Sequence, residues 1–146
     1  MINRFILNEV SYFGPGAREV LPKEITRLGL HKAFVATDKD LIKYGVADKV
    51  LSVLKSAGIP YEVFSEIKQN PTVFNVKSGV KAFAESEADF ILAIGGGSSI
   101  DTAKAIGIIT IIRNSAMLFR WKAWRIRKRN PFPLLPCLLL PELLLK

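Results

Sequence analysis

The chain has 146 residues, a formal net charge of +8 and one cysteine. One cysteine cannot form an internal disulfide, so the composition excludes a small secreted domain held together by disulfides. The positive charge does not by itself indicate a nucleic-acid partner, because residues 111–146 carry eight of the 21 Lys and Arg residues against one acidic residue. The rest of the chain is nearly neutral.

The first residues predict a strand, then a break, then a helix. Phe5–Val10 reads as a short strand, and Met1–Arg4 lacks the long apolar core of a signal peptide, so we expect a cytoplasmic protein. A helical stretch follows. Pro22 suits the first turn of a helix better than its middle, which predicts a break near Leu21, and Gly29 would end the helix.

The next apolar run, His31–Thr37, predicts a strand that is covered on both faces. Its four consecutive apolar residues fit a strand between two layers of helices, as in a parallel sheet. His31 is the only histidine of the chain. Since a metal site needs further ligands, we interpret His31 as an ordinary surface or packing residue.

Asp38 follows directly at the carboxyl end of this strand. Ligands of open α/β sheets gather at that end, where a carboxylate can accept hydrogen bonds from a ribose diol. The alternative is that Asp38 caps the short helix predicted over Asp40–Tyr44. Both interpretations stay open from the residues alone.

Two amphipathic helices follow, with a strand between them. Val46–Ala57 and Val73–Ala88 have apolar residues at helical spacing, and Ile59–Phe64 predicts the strand. We expect the apolar positions of both helices to be core, namely Val46, Val50, Val53 and Leu54 in the first, and Val73, Val76, Val80 and Phe83 in the second.

A glycine-rich turn then joins a strand over Phe90–Ile94 to a further helix. Gly95, Gly96 and Gly97 carry no Cβ, so their backbone can approach a ligand, and the helix that begins near Ser98 adds unpaired N–H groups and a positive dipole end. This pattern is typical of a phosphate site.

The alternative for the same turn is purely structural. Ser98 would be the N-cap, Asp101 its capping-box partner, and Lys104 would pair with Asp101. In either case, three strands that alternate with helices predict an α/β fold with a mostly parallel, Rossmann-like sheet. Asp38 and the glycines would then meet at one edge of this sheet.

The ten residues from Gly95, GGGSSIDTAK, resemble the GGGS-x-x-D-x-x-K signature of the iron-dependent (group III) alcohol dehydrogenases. Further segments stand in the order and spacing of that family, namely NRFILN from Asn3, FGPG from Phe13, TDK from Thr37, YGV from Tyr44 and NPT from Asn70. The resemblance is greatest to the lactaldehyde reductase (1,2-propanediol oxidoreductase) branch, and it covers residues 1–110.

The resemblance implies a truncated NAD-binding domain over residues 1–110. Gly95, Gly96, Gly97 and Ser98 would hold the pyrophosphate, and Asp38 would hold the ribose and repel the 2′-phosphate of NADP. Asn70 and Asp101 are expected as further contacts; the alternative for Asn70, which precedes a proline, is an ordinary turn residue. Lys104 would contribute to the electrostatics of helix and site.

The resemblance also implies chemistry that this chain lacks the residues to perform. Family members bind iron or another divalent metal through one Asp and three His of a helical C-terminal domain, and they interconvert small alcohols and aldehydes. With one histidine, the chain has no metal ligands and no catalytic residue to name. We therefore expect an inactive fragment of an NAD-linked lactaldehyde reductase; a homodimer is implied by the family alone.

Residues 111–146 do not resemble the family. Their apolar part is short for a bilayer and interrupted by prolines, whereas Arg120–Arg129 has the composition of a nucleic-acid or membrane-surface arm. A basic binding module and an inert, unstable fragment are therefore the alternative interpretations. Our leading interpretation is a one-nucleotide slip near Thr110, since codons for Leu135–Lys146 read one base earlier permit IALPTTAGTAAE, a sequence typical of the family. We expect this tail to be disordered, and sequencing the coding DNA tests the slip.

Overall fold

The computed structural model describes residues 12, 14–68 and 71–110, together with the backbone of residues 111–113. The predicted strand Phe5–Val10, Asn70 and the segment after residue 113 lie outside the described residues. A 3-10 turn at Ala17–Val20 comes first. The elements that follow are α1 (Leu21–Arg27), β1 (Ala33–Asp38), α2 (Lys39–Lys43), α3 (Val46–Ser56), β2 (Tyr61–Ile67), α4 (Val73–Ser86), β3 (Phe90–Ala93) and α5 (Gly97–Arg113).

The three described strands form one parallel sheet in the order β2-β1-β3. Ala33 of the central strand pairs with Tyr61 on one side and with Phe90 on the other. The predicted parallel α/β architecture is therefore confirmed. Since all three strands run the same way, their carboxyl ends lie at the same edge of the sheet.

Hydrophobic cores cover both faces of the sheet. Val35 belongs to the core under α1 and α3, and the neighbouring Phe34 belongs to the core under α4 and α5. Phe34 stacks on Phe64, with ring centroids 5.7 Å apart, and meets the edge of Phe83 at 5.3 Å. The alternation of side chains along a strand explains why an uninterrupted apolar run was needed in β1.

The predicted break before α1 is confirmed. The 3-10 turn ends at Val20, and Pro22 lies at the start of α1, where the missing N–H costs no helical hydrogen bond. Gly29 ends the helix with a φ of +66°, and Leu30 N donates to Ile25 O at 3.0 Å. This is the glycine-terminated end that the sequence predicted.

Strand β1 begins two residues later than predicted, because the carboxylate of Asp89 binds the N–H groups of the two residues before it. The backbone N–H groups of His31 and Lys32 donate to the Asp89 carboxylate at 2.9–3.1 Å. They are therefore satisfied by a side chain before the strand pairing starts. His31 is exposed, as predicted, and its Nδ1 lies 3.0 Å from the same carboxylate.

The predicted core of α4 is wrong at Val73. This side chain is 73% exposed because α4 begins there, beyond the end of the sheet, whereas Val80 is 5% exposed.

Gly79 lies at the contact with α5. A Cβ added to Gly79 would lie 2.9 Å from Ile106 Cγ1 and 3.3 Å from Phe64 Cε1, so the two helices approach more closely than a larger residue permits. No helix within the described ranges is long and apolar enough to cross a membrane.

Candidate functional site

A cleft of about 640 Å³ lies at the carboxyl edge of the sheet. It collects residues that follow all three described strands, as the topology requires. Its lining comprises Asp38–Asp40 after β1, Ser65–Lys68 at the end of β2, Phe74 and Asn75 in the first turn of α4, and Gly96–Ser99 after β3. The structure thus brings together Asp38 and the glycine turn, which the sequence placed at one edge.

Gly95 is required by the fold itself. Its φ of +140° lies in the region that favours glycine, and a Cβ there would be 2.5 Å from Ser99 Oγ and 3.2 Å from Leu41 Cδ1. Any side chain would therefore strain the backbone and collide with the start of α5. Gly95 itself does not line the cleft.

Gly96 and Gly97 are different, because the fold does not require them to be glycine. Neither has a positive φ, and a Cβ at either position would meet nothing within 4 Å. Both residues are exposed and line the cleft. The missing side chains leave open space in front of the backbone, which is what close approach of a ligand needs.

The structural alternative for this turn is wrong in its details. Ile100 N donates to Gly96 O at 3.2 Å, so Gly96 is the residue before the helix and Ser98 lies within the first turn. Asp101 and Lys104 are exposed, and no ion pair joins them among the described residues. Within the described residues, no side chain accepts a hydrogen bond from the first-turn N–H groups of α5.

The two other helices that begin at the cleft are closed by their own side chains. Asp38 Oδ1 accepts a hydrogen bond from Leu41 N at 2.8 Å and caps α2. Thr72 and Asn75 form a capping box at the start of α4. An anion in this cleft therefore finds unpaired N–H groups at α5, where the helix dipole is also positive.

Asp38 has the capping role that the sequence offered as its alternative. It precedes α2 and accepts the hydrogen bond typical of an N-cap. Only Oδ1 is used in this bond, and the half-buried carboxylate still lines the cleft. Capping and ligand contact are therefore compatible, because a carboxylate has two acceptor oxygens.

Sequence reasoning missed Asn75, which is 6% exposed and lines the cleft. Its Oδ1 accepts from Thr72 N at 3.2 Å and from Thr72 Oγ1 at 2.7 Å, and its Nδ2 donates to Glu66 O at 3.4 Å. Asn75 thereby ties the start of α4 to the end of β2. The spacing of Thr72 and Asn75 was the available signal, with Asn in place of the usual Glu or Gln.

Two further residues, Asp101 and Asn70, are predicted to contact a ligand in this cleft. Asp101 does not line it, Asn70 lies outside the described residues, and their roles as contacts stay predictions. In the part of the chain that the structure describes, no group of three His, Cys, Asp or Glu side chains could hold a metal. The described residues therefore do not fit a metal site.

The chain is similar to known proteins in sequence and in fold. Lactaldehyde reductase of Escherichia coli (strain K12) is 46% identical over 110 residues, which are 75% of this chain and 29% of that protein. The crystal structure of a 1,3-propanediol oxidoreductase superposes with a TM-score of 0.69 at 38% identity, over 74% of this chain and 28% of the other. The crystal structure of NADH-dependent butanol dehydrogenase A from Thermotoga maritima superposes with a TM-score of 0.64 at 31% identity, over 71% of this chain and 27% of the other.

The match to a family model decides the classification. The model for iron-containing alcohol dehydrogenases matches residues 8–142, past Thr110, where we expected the resemblance to end. The chain spans less than a third of the length of each relative described above. On the family match and the shared parallel sheet, the chain belongs to the iron-containing alcohol dehydrogenase family and corresponds to its N-terminal, Rossmann-like part.

Proposed function

We propose that this domain binds NAD in the cleft. The pyrophosphate would accept hydrogen bonds from the N–H groups of Gly97 and Ser98, at the positive end of α5. The observation that carries the proposal is the open space at Gly96 and Gly97, in front of the helix end that no described side chain caps. The NADH dependence of the Thermotoga maritima relative supports this choice of dinucleotide.

Asp38 would contact the adenosine ribose. Its remaining carboxylate oxygen can accept a hydrogen bond from the diol, and its negative charge disfavours the 2′-phosphate of NADP. Asn70 and Asp101 remain proposed further contacts. Gly95 acts indirectly, since it allows the turn that brings Gly96 into the cleft.

The reaction of the whole protein is a further proposal. NAD⁺ accepts the hydride when an alcohol is oxidised. Similarity to the Escherichia coli lactaldehyde reductase favours 1,2-propanediol and lactaldehyde as the substrate pair. None of the described residues is assigned a catalytic role, so we expect this chain to bind NAD without turning over an alcohol. We also propose a cytoplasmic protein, and a homodimer on the family's example.

A matched pair of glycine substitutions tests the cofactor site. Gly97→Ala and Gly107→Ala both add a methyl group to α5, with no contact under 3.8 Å, and Ala stabilises a helix by up to about 1 kcal/mol relative to Gly. Only Gly97→Ala puts the methyl group in the cleft. We expect this variant to bind NAD⁺ about tenfold more weakly in titration calorimetry, since charge-assisted hydrogen bonds contribute about 1.5–3 kcal/mol each.

The stability of both variants serves as the control. Thermal unfolding should show that both are as stable as the original chain or more stable, so that weaker binding cannot be attributed to unfolding. Equal NAD⁺ affinity of the two variants contradicts the assignment of the pyrophosphate to α5. Folded chain that binds no NAD⁺ contradicts the proposed function as a whole and favours an inert fragment.

A further inference from the structure

We propose that Phe74 is the surface on which the adenine ring of the dinucleotide stacks. This inference rests on the proposed function and names the residue that selects for an aromatic base. Phe74 lies in the first turn of α4 and lines the same cleft as Gly96, Gly97 and Asp38. No sequence motif singles out Phe74.

The strand order sets the order of contacts along the cleft. Because β1 lies between β3 and β2, its end with Asp38 lies between the turn after β3 and the end of β2, which α4 follows. The parts of a nucleotide follow the same sequence, namely phosphate, ribose and base. With the pyrophosphate at Gly97 and the ribose at Asp38, the base would lie towards the start of α4, where Phe74 lines the cleft.

The charges of the lining favour an uncharged group at that far end. Three carboxylates line the cleft, those of Asp38, Asp40 and Glu66, against the two lysines Lys39 and Lys68. A longer polyphosphate would meet these carboxylates, whereas a ribose can donate hydrogen bonds to them. A flat, neutral ring is therefore the group that the far end of the cleft suits.

Phe74 is also exposed in an unusual way for a phenylalanine of this domain. Its side chain is 78% exposed, whereas Phe34, Phe64 and Phe90 are at most 6% exposed. The backbone beneath it is fixed by the capping box of Thr72 and Asn75 and by the bond from Asn75 to Glu66 O. An aromatic ring on a fixed support provides an apolar surface on which a base can stack.

The neighbouring Val73 provides the control. It is 73% exposed in the same helical turn, but it does not line the cleft. We would titrate the full chain and its Phe74→Ala, Phe74→Trp and Val73→Ala variants with ADP and with inorganic pyrophosphate, which has no base. We expect Phe74→Ala to weaken ADP binding about fivefold or more, and the other two variants to keep it. Pyrophosphate should bind all four proteins equally.

Three results overturn the inference. Equal ADP affinity of Phe74→Ala and Val73→Ala does so while the proposed function stands. An equal loss of ADP and pyrophosphate in Phe74→Ala shows a disturbed helix end and not a lost stacking surface. If the original chain binds neither ADP nor NAD⁺, the proposed function and this inference fail together.

Discussion

At the scale of single residues, the cleft depends on side chains that have two tasks. Asp38 caps α2 with one carboxylate oxygen and lines the cleft, and Asn75 closes α4 while it holds the end of β2. A substitution that removes such a side chain affects both tasks at once. A useful variant must therefore separate the local structural role from the contact with a ligand.

Asp38→Asn separates the two roles of this residue. Asn is as good an N-cap as Asp, so α2 should keep its cap, but the negative charge that disfavours a 2′-phosphate is lost. We expect the preference for NAD⁺ over NADP⁺ to fall about tenfold in titration calorimetry, with little change in the thermal midpoint.

Asp38→Ala is the comparison, since it loses both the charge and the cap. Its stability should fall by about 0.5–2 kcal/mol in urea unfolding, the usual cost of a lost N-cap. An unchanged cofactor preference in Asp38→Asn would reduce Asp38 to a helix cap.

At the scale of elements, α4 and α5 pack closely because Gly79 has no side chain. Replacing a helical glycine by alanine normally stabilises a helix by about 1 kcal/mol, but here the methyl group would meet Ile106. Overpacking of this kind costs about 1–3 kcal/mol, and the collision outweighs the gain in helix propensity. The contact with Ile106 therefore makes the replacement of Gly79 by alanine destabilising instead of stabilising.

We expect Gly79→Ala to lower the free energy of unfolding by up to about 2 kcal/mol in urea unfolding, which is the overpacking cost less the gain in helix propensity. The double variant Gly79→Ala/Ile106→Val should recover part of this loss, since Val lacks the Cδ1 atom of Ile. Gly107→Ala, with its nearest contact at 3.8 Å, is the control and should not destabilise the protein. Additive effects of Gly79→Ala and Ile106→Val would show that the two residues do not interact.

A second element-scale contact joins the starts of β1 and β3. Desolvation raises the pKa of the Asp89 carboxyl, but hydrogen bonds from Lys32 N, from the His31 ring and from His31 N outweigh it, so the pKa lies below its ordinary value. Because the folded-state pKa is the lower one, Asp89 stabilises the fold above about pH 4, the unfolded value. This contribution is lost as the pH falls through the folded-state pKa.

The Asp89→Asn variant tests this dependence. Its difference in stability from the original chain should be largest near neutral pH and should shrink below about pH 4, as measured by urea unfolding at several pH values. Glu24 also has a lowered pKa, chiefly through its hydrogen bond from Arg27, and it is unchanged in both proteins. A difference that does not vary with pH would contradict the role given to Asp89.

The elements were largely predictable because their signals are local. Apolar periodicity located the two amphipathic helices, and Pro22 and Gly29 bounded α1 by their own backbone constraints. The start of β1 was misplaced because a distant carboxylate, Asp89, occupies its N–H groups. The roles of Asn75 and Gly79 depend on neighbours in other elements, namely Glu66 and Ile106, and no local pattern reveals such partners.

At the scale of the whole molecule, the glycine signature carried most of the functional prediction. The family was predicted from it and the parallel sheet from the alternation of strands and helices, and both are confirmed. The position of the cleft could be predicted, but Phe74 as one of its lining residues could not. Phe74 belongs to no sequence motif, and its exposure follows from where α4 begins. The frame slip near Thr110 and the tail it would produce stay predictions.

Gly95 has a mechanical consequence for this whole assembly. A Cβ on Gly95 would lie 2.5 Å from Ser99 Oγ of α5 and 3.2 Å from Leu41 Cδ1 of α2, so the starts of these two helices pack together where only glycine fits. Close packing of these two helix starts favours a preformed site. A ligand that finds its site already ordered loses less free energy to conformational entropy on binding.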